Sequence, residues 1–263
     1  MRAGYILSNF SVPREEGGLN FLKTFSFVYV DKKYGAMIFD TGSPYKPEEI
    51  ILPLKQYFGL SPDDIKWVFI THIHPDHIGL NSFFRKAKLI FSAKDYEVAD
   101  EIADVALSDK DLYTFLNQKF ENYNGFFKEF DAVILKELTK KFWSKKSFGF
   151  DLSHSFIEDN PDIPPFVKII PTFGHTLYHY SYLIESSHKN FYVTGDALSN
   201  RLILNIEKKE NLVEAEMDAK KYLETIQGFK NFKGIFVPGH DRPFNSNTLK
   251  GIRENVFDLS LKE

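Results

Sequence analysis

The sequence predicts an α/β fold in which strands and helices alternate and pack in layers. Short apolar runs rich in aromatic and β-branched residues, at 36–39, 67–71 and 191–194, are typical of buried strands. Segments with helical periodicity separate these runs, and such alternation is typical of layered α/β proteins. Because 43% of the 263 residues are hydrophobic, one domain with a sizeable core is expected over residues 1–263.

In the first part of the chain, turn-forming residues bound each predicted element. A polar turn ending in Gly35 separates the first two strands. Glu48 and Glu49 lie in the first turn of the first helix, where carboxylates are favourable. The predicted elements, in order, are strands at 21–30 and 36–39, a helix at 47–57, a helical turn at 61–64 and a strand at 67–71.

The remaining part continues the alternation. Tyr222 and Ile226 recur on one side of an amphipathic segment, which predicts a helix with a buried face. The predicted elements, in order, are a short helix at 78–84, a strand at 89–92 followed by a helix from about residue 93, strands at 167–170 and 191–194, a helix at 213–227, a strand at 234–237 and a closing helix at 248–259.

Four side chains able to bind metal lie within six positions after the strand at 67–71. They are His72, His74, Asp76 and His77. Imidazole and carboxylate are donors that zinc, iron and manganese accept. Extended residues two apart point to the same side, so His72 and His74 are expected to bind one ion together. Pro75 keeps His74 out of the helical region, which leaves Asp76 and His77 at the following turn for a second ion.

Three more donors, His175, Asp196 and His240, each follow a glycine near the end of a predicted strand. Strand ends are held by a rigid sheet, which suits a preorganised site. Seven donors exceed the four that one zinc ion accepts, and they suit two ions sharing a carboxylate. A histidine at a strand end is usually a hydrogen-bonded polar residue, and His179 is interpreted as packing or surface because it lacks partners at metal spacing.

The motif His-x-His-x-Asp-His at 72–77, with the later His175, Asp196 and His240, resembles the metallo-β-lactamase superfamily. The likeness extends over most of the chain, from about residue 22 to residue 243. The resemblance implies an αββα sandwich, in which helices flank two packed mixed β-sheets and the metals lie along one sheet edge. It also implies that the protein is a metal-dependent hydrolase.

The resemblance assigns the donors to two ions that share one carboxylate. The first ion takes His72, His74 and His175, the second takes Asp76, His77 and His240, and Asp196 bridges them. The turn Asp40-Thr-Gly42 resembles the Asp-Thr-Gly turn beneath the family's metal site. Asp40 is therefore expected to accept backbone N–H bonds and to orient a ligand from behind. Two divalent ions are the expected cofactors, with zinc favoured and iron or manganese as alternatives.

The expected reaction is hydrolysis of a small ester, lactone or thioester. A metal lowers the pKa of bound water from about 16 to roughly 7, so a hydroxide bridging two ions is the expected nucleophile. Asp76 is expected to orient it and to pass its proton to the leaving group. The chain has no cysteine, which argues against the β-lactamase members that use one as a ligand. Ser199 stands where the family's acyl-homoserine-lactone lactonases often carry a tyrosine, which weakens that match.

Three alternative functions stay open. A phosphodiesterase using manganese or iron would act on a small phosphodiester or nucleotide. A metal-binding protein without turnover belongs to another class, and the complete set of seven donors argues against it. A persulfide-type oxygenase with one iron resembles the fold but would use a smaller set of donors. A net charge of -3 argues against a dedicated nucleic-acid binder, so a small-molecule substrate is expected.

An aromatic-rich helical insertion is expected at about 100–160. Its phenylalanines and tyrosines suit either a lid over the metals or a surface for outer packing or a homodimer contact. Without cysteines there are no disulfides, and the first residues lack the pattern of a signal peptide, so a cytoplasmic location is expected. No apolar run approaches 18 residues, so no membrane span is expected.

Overall fold

The computed structural model describes residues 1–13, 19–120, 129–146, 148–187, 189–208, 212 and 216–259. Two mixed β-sheets pack face to face, and helices cover their outer faces. The predicted αββα sandwich is therefore confirmed. Within the described ranges, no helix combines the length and apolar character that crossing a bilayer requires.

The larger sheet contains seven strands in the described part of the chain. They are β1 (Arg2–Pro13), β2 (Leu19–Asp31), β3 (Gly35–Phe39), β4 (Ile65–Phe69), β5 (Lys88–Phe91), β6 (His154–Phe156) and β12 (Val256–Asp258). Their order is β12-β1-β2-β3-β4-β5-β6. Strands β3 to β6 are parallel, and the pairs β12–β1, β1–β2 and β2–β3 are antiparallel.

The smaller sheet contains five strands within the described residues. They are β7 (Val167–Pro171), β8 (Tyr180–Ile184), β9 (Phe191–Gly195), β10 (Ile235–Pro238) and β11 (Phe244–Asn245). Their order is β11-β10-β9-β8-β7, and only the β9–β10 pair is parallel. Because β8 is antiparallel to both β7 and β9, strands β7, β9 and β10 all end at the same edge of this sheet.

Six α-helices and five 3₁₀ turns are described. The helices are α1 (Glu48–Phe58), α2 (Pro75–Ile78), α3 (Ala93–Leu107), α4 (Leu112–Lys119), α5 (Glu129–Phe142) and α6 (Ala219–Phe229). The 3₁₀ turns are Pro62–Asp64, Asn81–Phe83, Ile157–Asp159, Asp196–Leu198 and Arg201–Asn205. Helix α1 packs on the larger sheet, α6 packs on the smaller one, and α3, α4 and α5 share an apolar cluster of their own.

Successive side chains of a strand point to opposite faces of its sheet, and those on the inner faces fill the space between the two sheets. In β2, Phe27 and Tyr29 face the smaller sheet, while Val28 faces the helices. Phe39 of β3 stacks on Phe69 of β4, with ring centroids 4.8 Å apart. These large buried side chains hold the ends of neighbouring strands in fixed positions, and the candidate ligands follow directly after those ends.

The predicted closing helix at 248–259 is wrong. Leu249 has a positive φ of 54°, which interrupts any helix there, and Val256–Asp258 forms strand β12. Strand β12 pairs with β1, and β1 itself is not among the strands predicted from the sequence. Pairing with a distant strand edge supplies the backbone hydrogen bonds of this segment, and local helical periodicity contains no information about that partner.

Two helix starts also differ from the prediction. Helix α2 starts at Pro75 rather than at residue 78, so Asp76 and His77 lie within its single turn. Helix α6 starts at Ala219, because the side chain of Asp218 accepts a hydrogen bond from the Lys221 N–H and caps the helix there. The predicted earlier start, at 213–215, lies outside the described residues.

Candidate metal centre

The candidate ligands gather where strands of both sheets end. Strand β4 leads to His72 and His74, β7 to His175, β9 to Asp196 and β10 to His240. The backbone N–H of Tyr180 donates to the Thr71 carbonyl at 2.9 Å, which ties the two sheets together beside the cluster. All seven predicted ligands fall into two groups, and within each group the donor atoms lie within 4.8 Å of one another.

The first group contains His72, His74, His175 and Asp196. Nδ1 of His74 lies 3.0 Å from Nε2 of His72 and 3.2 Å from Nε2 of His175. The Asp196 Oδ2 atom lies 3.4 Å from Nε2 of His175 and 3.7 Å from Nε2 of His72. His74 has extended backbone angles, φ -108° and ψ 145°, as expected for the residue before Pro75. Three nitrogens and one oxygen therefore converge on one small volume.

The second group contains Asp76, His77 and His240. Nε2 of His77 lies 3.7 Å from Asp76 Oδ2, and Nε2 of His240 lies 3.8 Å from the same oxygen. The Thr24 hydroxyl donates to Asp76 Oδ2 at 2.9 Å and holds this carboxylate in place. His240 Nδ1 lies 3.1 Å from the Lys23 carbonyl, so its Nε2 is left for the centre.

Asp196 lies between the two groups. Its Oδ2 is 3.0 Å from His240 Nε2 and 3.4 Å from His175 Nε2, and its Oδ1 is 3.3 Å from His77 Nε2. A Cβ atom on Gly239 would lie 1.9 Å from Asp196 Oδ1, so only glycine fits at that position. The glycine before His240 thus makes room for the Asp196 carboxylate.

Asp40 lies behind this cluster and is 1% exposed. Its carboxylate accepts hydrogen bonds from the Thr71 N–H and the Thr71 hydroxyl, both at 2.8 Å, and lies 2.8 Å from His77 Nδ1. The contact with Nδ1 directs Nε2 of His77 toward Asp196. Asp40 has a positive φ of 55°, a conformation that aspartate tolerates better than most residues.

Three buried polar residues beside the centre were not assigned to it by sequence reasoning. Glu216 Oε2 lies 3.1 Å from Nδ1 of His175, and Asp95 Oδ2 accepts the Ile73 N–H at 2.8 Å. His179 is fully buried, and its ring stacks on His72 at 4.9 Å between centroids. The packing interpretation of His179 therefore holds. Glu216 precedes a polar helix and Asp95 lies in a first helical turn, positions that usually face solvent.

The pKa values of the histidines in the centre are shifted in opposite directions. Burial first, and neighbouring imidazoles second, hold the pKa of His72 well below its ordinary value and lower the pKa of His74 to about 3. Burial, the largest single effect, also lowers the pKa of His77 and His240, but the carboxylates of Asp196 and Asp76, and for His77 also Asp40, together outweigh it. The net effect of these opposing influences raises the pKa of His77 well above its ordinary value and the pKa of His240 to about 9. The second group therefore favours positive charge.

The donor set fits divalent cations. His77 Nε2 and Asp196 Oδ1 are buried 3.3 Å apart, and within the described residues neither has a hydrogen-bond partner. Buried polar atoms are normally satisfied, and a cation between these two would satisfy both. Imidazole nitrogens and carboxylate oxygens are also the donors that zinc accepts.

The sequence model of one protein family, the metallo-beta-lactamase superfamily, matches residues 19–240 of this chain. The chain belongs to the metallo-β-lactamase superfamily. The match contains every residue of both donor groups, so the family that the motif at 72–77 suggested is confirmed. It also contains the turn at Asp40.

Relatives within the superfamily are distant. A probable metallo-hydrolase of Methanocaldococcus jannaschii is 26% identical over 196 residues, which cover 74% of this chain and 66% of the relative. An N-acyl homoserine lactonase of a Bacillus species is 26% identical over 200 residues, covering 74% of this chain and 63% of the relative. The chain thus spans a little under two thirds of the length of these curated relatives.

A solved structure of the superfamily shares the fold across nearly the whole chain. It is an N-acyl homoserine lactone hydrolase with the product N-hexanoyl-L-homoserine bound at its catalytic metal centre. The TM-score is 0.62 at 19% sequence identity, and the match covers 91% of this chain and 93% of the other. At this identity the likeness shows the common fold.

In the present chain, an apolar cavity of about 260 Å³ adjoins the candidate metal centre. His74, Pro75 and Asp76 form the wall that it shares with the two donor groups. Helices α3, α4 and α5 supply most of the opposite wall, with side chains such as Ile102 and Leu116. The described helices of the expected insertion therefore line a cavity beside the candidate ligands. The aromatic residues at 121–128 lie outside the described part.

The charges around the cavity are acidic. Asp76 and Asp95 are its charged lining residues, and no lysine or arginine of the described chain lines it. Burial raises the pKa of Asp95, although the Thr176 hydroxyl opposes this. Arg201, just beyond Asp196, is bound to Asp241 at 2.6 Å instead. The cavity therefore suits a neutral, largely apolar group better than an anion.

Proposed function

We propose that the protein is a dinuclear metal-dependent hydrolase acting on a small neutral ester or lactone with an apolar substituent. One observation carries the proposal: Asp196 lies within 3.4 Å of histidines of both donor groups, and His74 and Asp76 form a wall of the apolar cavity. A substrate whose apolar part fills the cavity would place its carbonyl group beside both donor groups.

In this proposal, one ion would be held by His72, His74, His175 and Asp196, and the other by Asp76, His77, His240 and Asp196. Two ions bound there would supply a hydroxide nucleophile at neutral pH and polarise the substrate carbonyl. Zinc is the favoured metal, because imidazole supplies three of the four donors proposed for the first ion and two of the four proposed for the second.

Asp76 is the residue proposed to move the proton. Its carboxylate lines the cavity and also lies in the second donor group, so it faces both the substrate and the nucleophile. The hydrogen bond from Thr24 occupies Oδ2 at 2.9 Å, which fixes the direction of the carboxylate. A carboxylate held at this place can take a proton from the nucleophile and release it to the leaving oxygen.

The substrate class follows from the charge and polarity of the cavity. The cavity is lined by Asp76 and Asp95 and by no lysine or arginine of the described chain, so the part of the substrate that fills it is expected to carry no negative charge. A lactone or ester is neutral and keeps its carbonyl polar while its chain is apolar. The relatives named as N-acyl homoserine lactonases support a lactone in particular.

The deciding experiment compares substrate classes under defined metal content. Zinc-loaded protein is assayed on p-nitrophenyl acetate, p-nitrophenyl hexanoate, γ-lactones with and without an acyl chain, and bis(p-nitrophenyl) phosphate. We expect preference for the esters or lactones with longer apolar chains, and two metal equivalents by elemental analysis. Preference for the phosphodiester would support the phosphodiesterase instead. Metal-replete protein inactive on the whole panel would contradict a hydrolytic function.

A further inference from the structure

Glu216 is a buried carboxylate next to a candidate ligand. Its side chain is 0% exposed, and its Oε2 lies 3.1 Å from Nδ1 of His175. Burying a carboxylate is unfavourable unless nearby groups stabilise its charge. A residue at this position therefore needs a partner that carries or attracts positive charge.

The backbone around Glu216 is docked onto the loop that carries His175. The Met217 N–H donates to the His175 carbonyl at 3.3 Å, and the Asp218 N–H donates to the Gly174 carbonyl at 2.9 Å. A Cβ atom on Gly174 would lie 2.3 Å from the Tyr222 backbone nitrogen, so the close approach of the two segments requires glycine there. The carboxylate of Glu216 is thus held in a fixed position relative to the imidazole.

The second donor group has the same arrangement. Asp40 lies 2.8 Å from Nδ1 of His77, on the side of the ring opposite to the centre. In both groups a buried carboxylate contacts Nδ1, and Nε2 of the same ring faces the other donors. A carboxylate that accepts from Nδ1–H fixes the tautomer in which Nε2 is free to bind a cation.

We infer that Glu216 is a positioning residue for the first metal ion: it holds Nδ1–H of His175 and so presents Nε2 to the ion. The inference rests on the proposed metal centre. Met217 of the same segment lines the apolar cavity, so the segment links the orientation of a ligand to the shape of the substrate site.

Metal affinity tests this role directly. Glu216→Gln keeps the shape of the side chain but removes its charge, and Glu216→Ala removes the contact. Zinc dissociation constants are measured by competition with a chromogenic chelator, and the visible spectrum of the cobalt-substituted protein is recorded. We expect zinc binding at the first site to weaken about 10-fold in Glu216→Gln and up to about 100-fold in Glu216→Ala, with altered cobalt bands in both.

Asp218→Ala is the matched control. Asp218 is also a buried acid on this segment, but it caps helix α6 and contacts no candidate ligand. This variant should lose thermal stability while its zinc affinity and cobalt spectrum stay within about twofold of the wild type.

Two outcomes overturn the inference, and they differ in what they leave standing. If the wild type binds two zinc ions and hydrolyses its substrate, but both folded Glu216 variants keep wild-type affinity and cobalt spectra, the role of Glu216 is refuted alone. If the wild type binds no zinc, the metal centre itself is refuted. Should Glu216→Ala fail to fold, the Glu216→Gln measurements decide.

Discussion

Asp40 shows how many groups one buried carboxylate holds in place at this centre. It binds the backbone and hydroxyl of Thr71 and contacts Nδ1 of His77, all at 2.8 Å. Thr71 directly precedes the first candidate ligand, and its hydroxyl lies 3.0 Å from Nδ1 of His72. One side chain thus orients a histidine of each donor group.

Replacing Asp40 should therefore reduce stability. Asp40→Ala leaves the buried Thr71 N–H and His77 Nδ1 without this acceptor, which costs about 1–3 kcal/mol for each group. We expect a lower free energy of unfolding in urea. Asp40→Asn keeps one of the two oxygen acceptors and tolerates the positive φ, so it should lose less. Equal stability of Asp40→Ala and the wild type would show that these contacts contribute nothing.

Asp76 is the residue whose loss should affect turnover most specifically. Asp76→Asn keeps an oxygen that can contact a cation but cannot take a proton, so we expect kcat to fall by about 10²- to 10⁴-fold. Metal content is measured on the same samples by elemental analysis. Asp104→Asn, an exposed acid on α3, is the control and should keep wild-type kcat. Near-wild-type turnover of Asp76→Asn with both metals retained would refute the proton-transfer role.

At the scale of elements, helices α3, α4 and α5 form the apolar wall of the cavity beside the centre. Ile102, Leu116 and Leu135 come from three different helices and line the same cavity. Their apolar faces also pack on one another, so the wall has a defined shape rather than a loose one. Under the proposed function, such a wall would discriminate among substrates by the length of their apolar part.

A single enlargement on α3 tests this discrimination. Ala103 is 2% exposed and lines the cavity, so Ala103→Leu should occupy part of its volume. We expect kcat/KM for p-nitrophenyl decanoate to fall about tenfold or more relative to that for the acetate. The control, Leu107→Met, lies one turn further on the same helix at a half-exposed position and should leave the ratio unchanged. An unchanged ratio in Ala103→Leu would place the substrate chain elsewhere.

At the scale of the whole molecule, the centre joins the two sheets. Donors from the larger sheet and from the smaller sheet contact each other through Asp196, which is within 4 Å of histidines on both. A cation bound there would connect the two layers of the sandwich. Metal binding to the folded state alone stabilises it by mass action.

Removing metal should therefore lower the melting temperature. At zinc concentrations about 1,000 times Kd, each bound ion contributes about 4 kcal/mol of stabilisation, which corresponds to a shift of about 10 °C per ion for a chain of this size. Calorimetry before and after chelation measures the shift. His72→Ala should reduce it, whereas His154→Ala, an exposed histidine, should keep it. An identical melting temperature with and without zinc would contradict metal binding at this centre.

The sequence by itself determined the family, the alternation of strands and helices, and the seven candidate ligands. It could do so because donors at strand ends and buried β-strands follow local patterns of spacing and polarity. The run at 72–77 needed no tertiary information, since two-residue spacing in an extended segment already puts His72 and His74 on one side.

Only the tertiary structure decided the burial of Glu216 beside His175, the conformation of residues 248–259 and the cavity beside the centre. Glu216 becomes buried because its segment hydrogen-bonds to the loop of His175, 41 positions away in the chain. The last strand forms because β1 offers it an edge from the other end of the sequence. Each of these features depends on contacts between segments that are distant along the chain. Local secondary-structure propensity does not indicate which distant segments will come into contact.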